Sequence, residues 1–175
     1  TFFNEGVVAH VTMGDPFCRN LSGILSDVGE ISIPGGRQLH RGGTYLAMEG
    51  PAFSTRAESN LYRQWGCSII GMTNHTEARL AKEAEIAYAS LSMVTDYDCW
   101  HQSHDEVSVE MVLENLTINT EVANKIVYET AKIIDVERPQ SSSHNSLKDG
   151  LITKKDLVSK ETRSKVKIFT DNYWL

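Results

Sequence analysis

Apolar positions along this chain alternate between short continuous runs and longer stripes with helical spacing. The continuous runs have the length of strands and cover residues 6–13, 44–48, 68–72 and 87–95. Between and after them, apolar residues recur three and four positions apart, which predicts helices at residues 20–28, 55–65, 74–84 and, as one or two helices, 104–134. Strands that alternate with helices are typical of a sheet covered by helices. The pattern therefore predicts an α/β protein with a mixed, largely parallel twisted sheet.

Polar residues and glycine mark the ends of the predicted helices. Ser54 or Thr55 can cap the second helix, and Glu58, three residues after Thr55, fits a capping box. Gly66 is suited to the turn that ends the same helix. Thr73 or Asn74 can cap the third helix. The helix at 55–65 is therefore expected to begin directly after a turn, and the helix at 74–84 directly after a strand.

The last quarter of the chain changes character. Residues 135–147 are polar, with Pro139 and four serines, and predict a loop. Residues 146–175 are basic and predict two short helical pieces that close on an aromatic end. No internal repeat divides the chain, so residues 1–175 are expected to belong to a single domain.

Composition narrows the class of protein. A length of 175 residues with 41% hydrophobic residues allows a real core. The net charge of -6 argues against a nucleic-acid partner, which would require a basic face. The absence of a long apolar run predicts no membrane span and no membrane partner. The cysteines Cys18, Cys67 and Cys99 are odd in number and widely spaced, and we interpret them as reduced thiols of a cytoplasmic protein.

Two carboxylates follow the last predicted strand. Asp96 and Asp98 are two residues apart, so in an extended chain both side chains point to the same face. In open α/β sheets, ligands bind at the carboxyl ends of the strands, where residues 49–53 and 72–73 are also expected to lie. Taken alone, the two acids fit a solvated turn equally well. The other strand ends favour a shared site.

Several motifs in register carry a resemblance to a known family. They are the segments MEGPAFSTRAES at residues 48–59, GMT at 71–73, LAKEA at 80–84 and TDYDCW at 95–100. With these motifs the chain resembles the family of methylthioadenosine and purine nucleoside phosphorylases. The match runs in order from Thr1 to about Asn145 and corresponds roughly to the C-terminal two-thirds of such an enzyme. The resemblance implies a phosphorylase/hydrolase-like sheet that lacks its N-terminal strands here.

The resemblance implies phosphorolysis of S-methyl-5'-thioadenosine to adenine and 5-methylthioribose 1-phosphate. Phosphate attacks C1' of the ribose, and adenine leaves. Because the adenine anion is a poor leaving group, a proton must reach N7 as the bond breaks, and a carboxylic acid can supply it when burial raises its pKa. Asp96 matches the family's general acid. Asp98 matches a contact to the 6-amino group, which implies selectivity for 6-amino purines.

Other positions match the family's contacts to substrate. Phe53 matches a ring that stacks on the purine, Met72 a residue beside the ribose, and Thr73 a hydroxyl that binds phosphate at a helix start. Tyr97, between the two acids, is also expected to contact the substrate. The residues alone leave plainer roles open: loop packing for Phe53, core packing for Met72 and an N-cap for Thr73.

Four further positions bear on the substrate's 5' end and base. Ser54 stands where relatives that prefer 6-oxopurines carry an acid, and Val109 stands where they carry a histidine that bonds the 5'-hydroxyl. An apolar Val109, with Val112 on the same helix face, suits a methylthio group. His10 matches a residue that closes the methylthio end from a neighbouring subunit, although a strand histidine without that role is equally open.

The resemblance also implies partners and alternatives. Phosphate is a co-substrate, no cofactor or metal is needed, and the enzyme is a homo-oligomer, either a trimer or a hexamer. His101 and His104 are therefore interpreted as loop residues. The family's phosphate loop and its Arg–His pair have no match in this sequence, so we expect an N-terminal part as a separate chain or outside this sequence. A purine nucleoside phosphorylase acting on adenosine and a non-catalytic purine-binding fragment are the alternatives.

Overall fold

The computed structural model describes residues 1–101 and 109–174, without the side chains of Val109 and Met111. Its α-helices are α1 (Arg19–Ser32), α2 (Arg56–Gln64), α3 (Asn74–Glu83), α4 (Val109–Glu137) and α5 (Lys160–Thr170). Its strands are β1 (Tyr45–Ala47) and β2 (Ile69–Gly71), and short 3-10 turns lie at Ser142–Asn145 and Lys155–Leu157.

The two strands form a parallel pair. Tyr45 pairs with Ile69 and Ala47 with Gly71. Because α2 lies between the two strands in the chain, this is a strand–helix–strand crossover, the unit from which parallel sheets are built. The predicted α/β class is confirmed, and the helices predicted at 55–65 and 74–84 correspond to α2 and α3.

Two predicted strands are wrong. Residues 87–95 form no strand, although all of them belong to the described part of the chain. Instead of a ladder, isolated hydrogen bonds hold three carbonyls of this segment. Tyr88 O accepts from the Cys18 N–H at 2.7 Å, and Val94 O and Thr95 O accept from asparagine side-chain amides. Residues 6–13 contribute only a single antiparallel bridge, between Ala9 and Leu151. A continuous apolar run predicts burial, but a strand also needs a neighbouring backbone along its length.

The chain divides into two compact units. The terminal unit comprises Thr1–Ser22, His75–Ser90 and Pro139–Leu175, and the central unit comprises Gly23–Asn74 and Leu91–Arg138. The core of the terminal unit joins both ends of the chain, and its buried members are Phe3, Val7, Leu147, Val158 and Val166. In the central unit, α1 packs closely against Leu39 in the segment that follows it. A Cβ on Gly29 would lie only 2.9 Å from Leu39 Cδ2, so the position has no room for a larger side chain.

The C-terminal part departs from the predicted boundaries. Helix α4 continues to Glu137, inside the polar loop predicted at 135–147. The predicted helical tail contains the turn Lys155–Leu157 and helix α5, whose Ser159 N-cap accepts a hydrogen bond from the Thr162 N–H. Within the described residues, no helix is both long and apolar enough to span a bilayer.

Candidate active site

The central unit holds nearly all the residues predicted to form the site. They occur in four places: the ends of β1 and β2, the start of α2, the loop 94–101 and the start of α4. The contacts below are all within this unit. His10 alone belongs to the terminal unit, where its side chain is exposed and its backbone N–H donates to Gly150 O at 2.8 Å.

The ends of β1 and β2 bring two predicted segments together. The Met48 N–H donates to Gly71 O at 2.8 Å, which continues the parallel pairing past Ala47. Beyond it, a Cβ on Gly50 would lie 3.1 Å from the Met72 sulfur, and Gly50 has a φ of +72°. Both the close approach and the positive φ favour glycine. Met72, which follows β2, therefore lies against the turn after β1. That turn leads to Phe53, whose ring is exposed.

Thr73 lies in the turn from β2 into α3. The strand ends at Gly71 and the helix begins at Asn74, so Thr73 is the last residue before the helix. Its side chain is exposed. A threonine hydroxyl both donates and accepts hydrogen bonds, so Thr73 is suited to contact a phosphate oxygen.

The start of α2 is fixed by the predicted capping box, which is confirmed. Thr55 Oγ1 accepts from the Glu58 N–H at 3.3 Å, and Glu58 Oε2 accepts from the Thr55 N–H at 2.7 Å. The backbone N–H and hydroxyl of Thr55 together lower the pKa of Glu58. Ser54, just before the box, donates its hydroxyl to the Met48 sulfur at 3.7 Å. Its carbonyl accepts from the Cys99 thiol at 3.5 Å, so Ser54 lies beside the loop that carries the two acids.

Asp98 is held through both carboxylate oxygens. The Ser59 hydroxyl donates to Oδ2 at 2.5 Å, and the Cys99 N–H donates to Oδ1 at 2.8 Å. Ser59 is buried on α2, one turn after Thr55. One turn further along, the Arg63 guanidinium lies 3.6 Å from the centre of the Trp100 ring, a cation–π contact. Helix α2 therefore anchors the loop at Asp98 and at Trp100.

Asp96 has different surroundings. Its carboxylate is exposed and accepts from the Thr95 hydroxyl at 2.5 Å. The chain just before it is tied to α4, because the Asn115 amide donates to Thr95 O at 3.1 Å and the Asn119 amide donates to Val94 O at 2.9 Å. These side chains replace the strand ladder that the sequence predicts there.

Arg37 braces both asparagines. It donates to Asn119 Oδ1 at 3.0 Å and, at 3.5 Å, to Asn115 Oδ1. An Arg that binds the amide oxygens turns the two NH₂ groups toward the carbonyls of residues 94 and 95. The backbone before Asp96 is thereby held from one side by a three-residue network.

The remaining predicted residues are placed as follows. Tyr97 is 57% exposed, and its ring stacks on His101 with centroids 4.5 Å apart. Val112 is half-buried on α4. Val109 begins α4, but its side chain lies outside the described residues, as does His104. Within the described ranges, no three His, Cys, Asp or Glu side chains cluster in a way that could hold a metal.

The structure shows contacts that the sequence did not predict, above all those of Ser59, Arg63, Asn115, Asn119 and Arg37. The capping box predicts where α2 begins, and within a helix Ser59 and Arg63, four residues apart, lie on one face. Nothing in the local pattern indicated that this face meets a loop 39 residues later.

Comparison with known proteins finds relatives that match nearly the whole of this chain. A curated S-methyl-5'-thioadenosine phosphorylase from Prochlorococcus marinus is 64% identical over 99% of this chain and 55% of its own length. A crystal structure of a methylthioadenosine phosphorylase from an Antarctic soil metagenomic library has a TM-score of 0.90 and 42% identity, covering 96% of this chain and 58% of that one.

Two further comparisons extend the picture. A Schistosoma mansoni methylthioadenosine phosphorylase in complex with adenine has a TM-score of 0.66 and 28% identity, covering 94% of this chain and 56% of that chain. The chain thus spans a little over half the length of these relatives. The family model described as "Phosphorylase superfamily" matches residues 1–132. This chain belongs to the phosphorylase superfamily.

Proposed function

We propose that this protein cleaves S-methyl-5'-thioadenosine with phosphate, yielding adenine and 5-methylthioribose 1-phosphate. The observation that carries the proposal is the pair of carboxylates on one loop in unlike surroundings, Asp98 held at both oxygens and Asp96 exposed. Paired acids with unlike environments are suited to unlike tasks. The similarity to a phosphorylase named for this substrate supports the same reaction.

The proposed reaction assigns a task to each group. A phosphate oxygen forms a bond to C1' while the bond from C1' to N9 of adenine breaks. Asp96 is exposed in this structure, contrary to the burial expected of a general acid, so the bound purine itself must cover the carboxylate and favour its protonated form. Asp96 then gives its proton to N7, and adenine leaves as a neutral base. Asp98 accepts a hydrogen bond from the 6-amino group. Thr73 binds the phosphate, Met72 lies beside the ribose, and Phe53 and Tyr97 contact the purine.

Adenosine is the second candidate substrate. A related Schistosoma structure is named as an adenosine/methylthioadenosine phosphorylase, at 31% identity and a TM-score of 0.67. In this chain, Val109 and Val112 stand at positions where the family resemblance implies contact with the 5' substituent, and their apolar character favours a methylthio group over a hydroxyl. Ser54 stands where relatives that prefer 6-oxopurines carry an acid, and its presence favours a 6-amino purine as the base.

The proposal is tested by measuring the adenine that the full-length protein releases from a nucleoside substrate. Release should require phosphate and should be faster with methylthioadenosine than with adenosine at equal concentration. Faster use of adenosine would reassign the protein as a 6-amino purine nucleoside phosphorylase. Purine binding without phosphate-dependent release would instead support a binding protein.

We further propose a cytoplasmic homo-oligomer that uses phosphate as co-substrate and no cofactor. The cysteines Cys18, Cys67 and Cys99 are free thiols, which suits a reducing compartment. His10 is exposed, as a residue reaching a neighbouring subunit's methylthio end would be before assembly. Light scattering would distinguish a trimer from a hexamer, and a monomer at working concentration would argue against the role of His10.

A further inference from the structure

We propose that Ser59 is a positioning residue that aims the Asp98 carboxylate and thereby sets the preference for 6-amino over 6-oxo purines. The inference rests on the proposed function, since it assigns Asp98 to the purine. Ser59 itself lies beneath Asp98 and is 1% exposed, so it acts on the base through that carboxylate.

The geometry fixes the rotation of the Asp98 side chain. One oxygen accepts from the Ser59 hydroxyl at 2.5 Å, and the other accepts from the Cys99 N–H at 2.8 Å. A carboxylate with a donor at each oxygen cannot turn about its Cβ–Cγ bond without breaking both contacts. Each oxygen keeps lone-pair capacity for one more donor.

This arrangement discriminates between bases by hydrogen-bond chemistry. Two donors aimed at Asp98 suit the ionised, acceptor-only carboxylate. A 6-amino group has hydrogens to give to such an acceptor, whereas a 6-oxo group places its own acceptor against it and is repelled. Without the Ser59 donor, Asp98 Oδ2 could carry a proton and donate it to a 6-oxo group, and discrimination would fall.

The loop has other anchors, so losing the Ser59 hydroxyl is expected to change the aim of Asp98 rather than the course of the chain. Arg63 holds Trp100, and the Cys99 thiol donates to Ser54 O. Ser59 is itself positioned by α2, where its N–H donates to Thr55 O at 2.9 Å. These contacts are untouched by removal of one side-chain oxygen.

The experiment measures equilibrium binding of adenine and hypoxanthine by the full protein. The variants are Ser59→Ala, which removes the donor, and Ser59→Cys, which keeps a weak donor of similar size. The matched control is Ser143→Ala, a serine equally buried in the terminal unit. The melting temperature of each variant is recorded alongside.

The adenine-to-hypoxanthine affinity ratio should fall on the order of 10-fold in Ser59→Ala, less in Ser59→Cys and not at all in the control. A lower melting temperature with an unchanged ratio would make Ser59 structural only and overturn the inference. Failure of the proposed function looks different, because the wild-type protein would then show no preference for adenine, and the assignment of Ser59 would fall with it.

Discussion

At the scale of single residues, Asp96 and Asp98 lie two positions apart but have different neighbours. Asp98 is held by Ser59 and by the Cys99 N–H, whereas Asp96 is exposed beside Thr95. The spacing of the two acids could be predicted from the sequence, but the sequence placed them at the end of a strand that does not form. Their unlike surroundings could not be predicted, because Ser59 reaches Asp98 from a helix 39 residues earlier.

Asp96→Asn is expected to reduce kcat for adenine release by about 100-fold or more while changing KM little, because an amide cannot protonate N7. Steady-state kinetics with methylthioadenosine and phosphate give both constants. The exposed variant Asp135→Asn, on α4, is the control and should match the wild type. A loss of affinity with unchanged turnover of bound substrate would show that Asp96 only contacts the base.

Tyr173 provides a pH test of the terminal unit. Burial, with the hydrogen bond to Glu85 at 2.6 Å, raises the pKa of Tyr173 to about 12. Since the raised pKa favours the neutral phenol in the folded state, this stabilisation is complete below the unfolded pKa of about 10 and is lost as the pH rises toward 12. Melting temperatures between pH 9 and 11.5 should therefore fall less steeply in Tyr173→Phe than in the wild type.

The control for this comparison is Tyr128→Phe, a tyrosine 65% exposed on α4. Its melting temperature should follow the wild-type pH profile. Identical slopes for Tyr173→Phe and the wild type would mean that Tyr173 ionises equally in the folded and unfolded chain.

At the scale of elements, local signals predicted the helices better than the strands. The pair Thr55 and Glu58 predicted the start of α2, because a capping box closes within four residues. The run 87–95 has the apolar character of a strand but no ladder, and its last carbonyls are bonded by Asn115 and Asn119 from α4. Which backbone or side chain pairs with a segment depends on distant parts of the chain, and a local pattern does not contain it.

Thr55→Ala should lower the free energy of unfolding by about 1 kcal/mol, because the first turn of α2 loses its side-chain acceptor. Urea denaturation measures the loss, with the exposed Thr12→Ala, outside any helix, as control. The difference should shrink under acid. The pKa of Glu58 is lowered by Thr55, so the box stabilises the fold above about pH 4.5 and is lost as the pH falls through the folded pKa.

A pH-independent difference between Thr55→Ala and the wild type would show that the Glu58 half of the box contributes nothing. An unchanged free energy of unfolding would show that water caps α2 equally well.

At the scale of the whole molecule, the terminal unit depends on residues from both ends of the chain. Leu147 is completely buried among Phe3, Val7, Val158 and Val166. Its N–H also donates to Glu85 at 3.0 Å. The sequence showed each of these residues as apolar, but not that the first strand-like run and the basic tail share one core.

Leu147→Ala is expected to destabilise the protein by about 2–5 kcal/mol, because the cavity cannot close fully among rings and branched side chains. Chemical denaturation gives the value. Leu157→Ala is the control, since that side chain is 79% exposed and should change stability by less than about 0.5 kcal/mol. Equal effects of the two substitutions would contradict the assigned core.

This joining of the chain ends has a consequence for synthesis. Phe3 and Val7 are synthesised some 150 residues before Val158 and Val166, which complete their core. At roughly 5–20 residues per second, these apolar side chains wait about 8–30 s for those partners. During that interval they are a binding site for chaperones, and a ribosome that stalls before residue 158 leaves a nascent chain prone to aggregation.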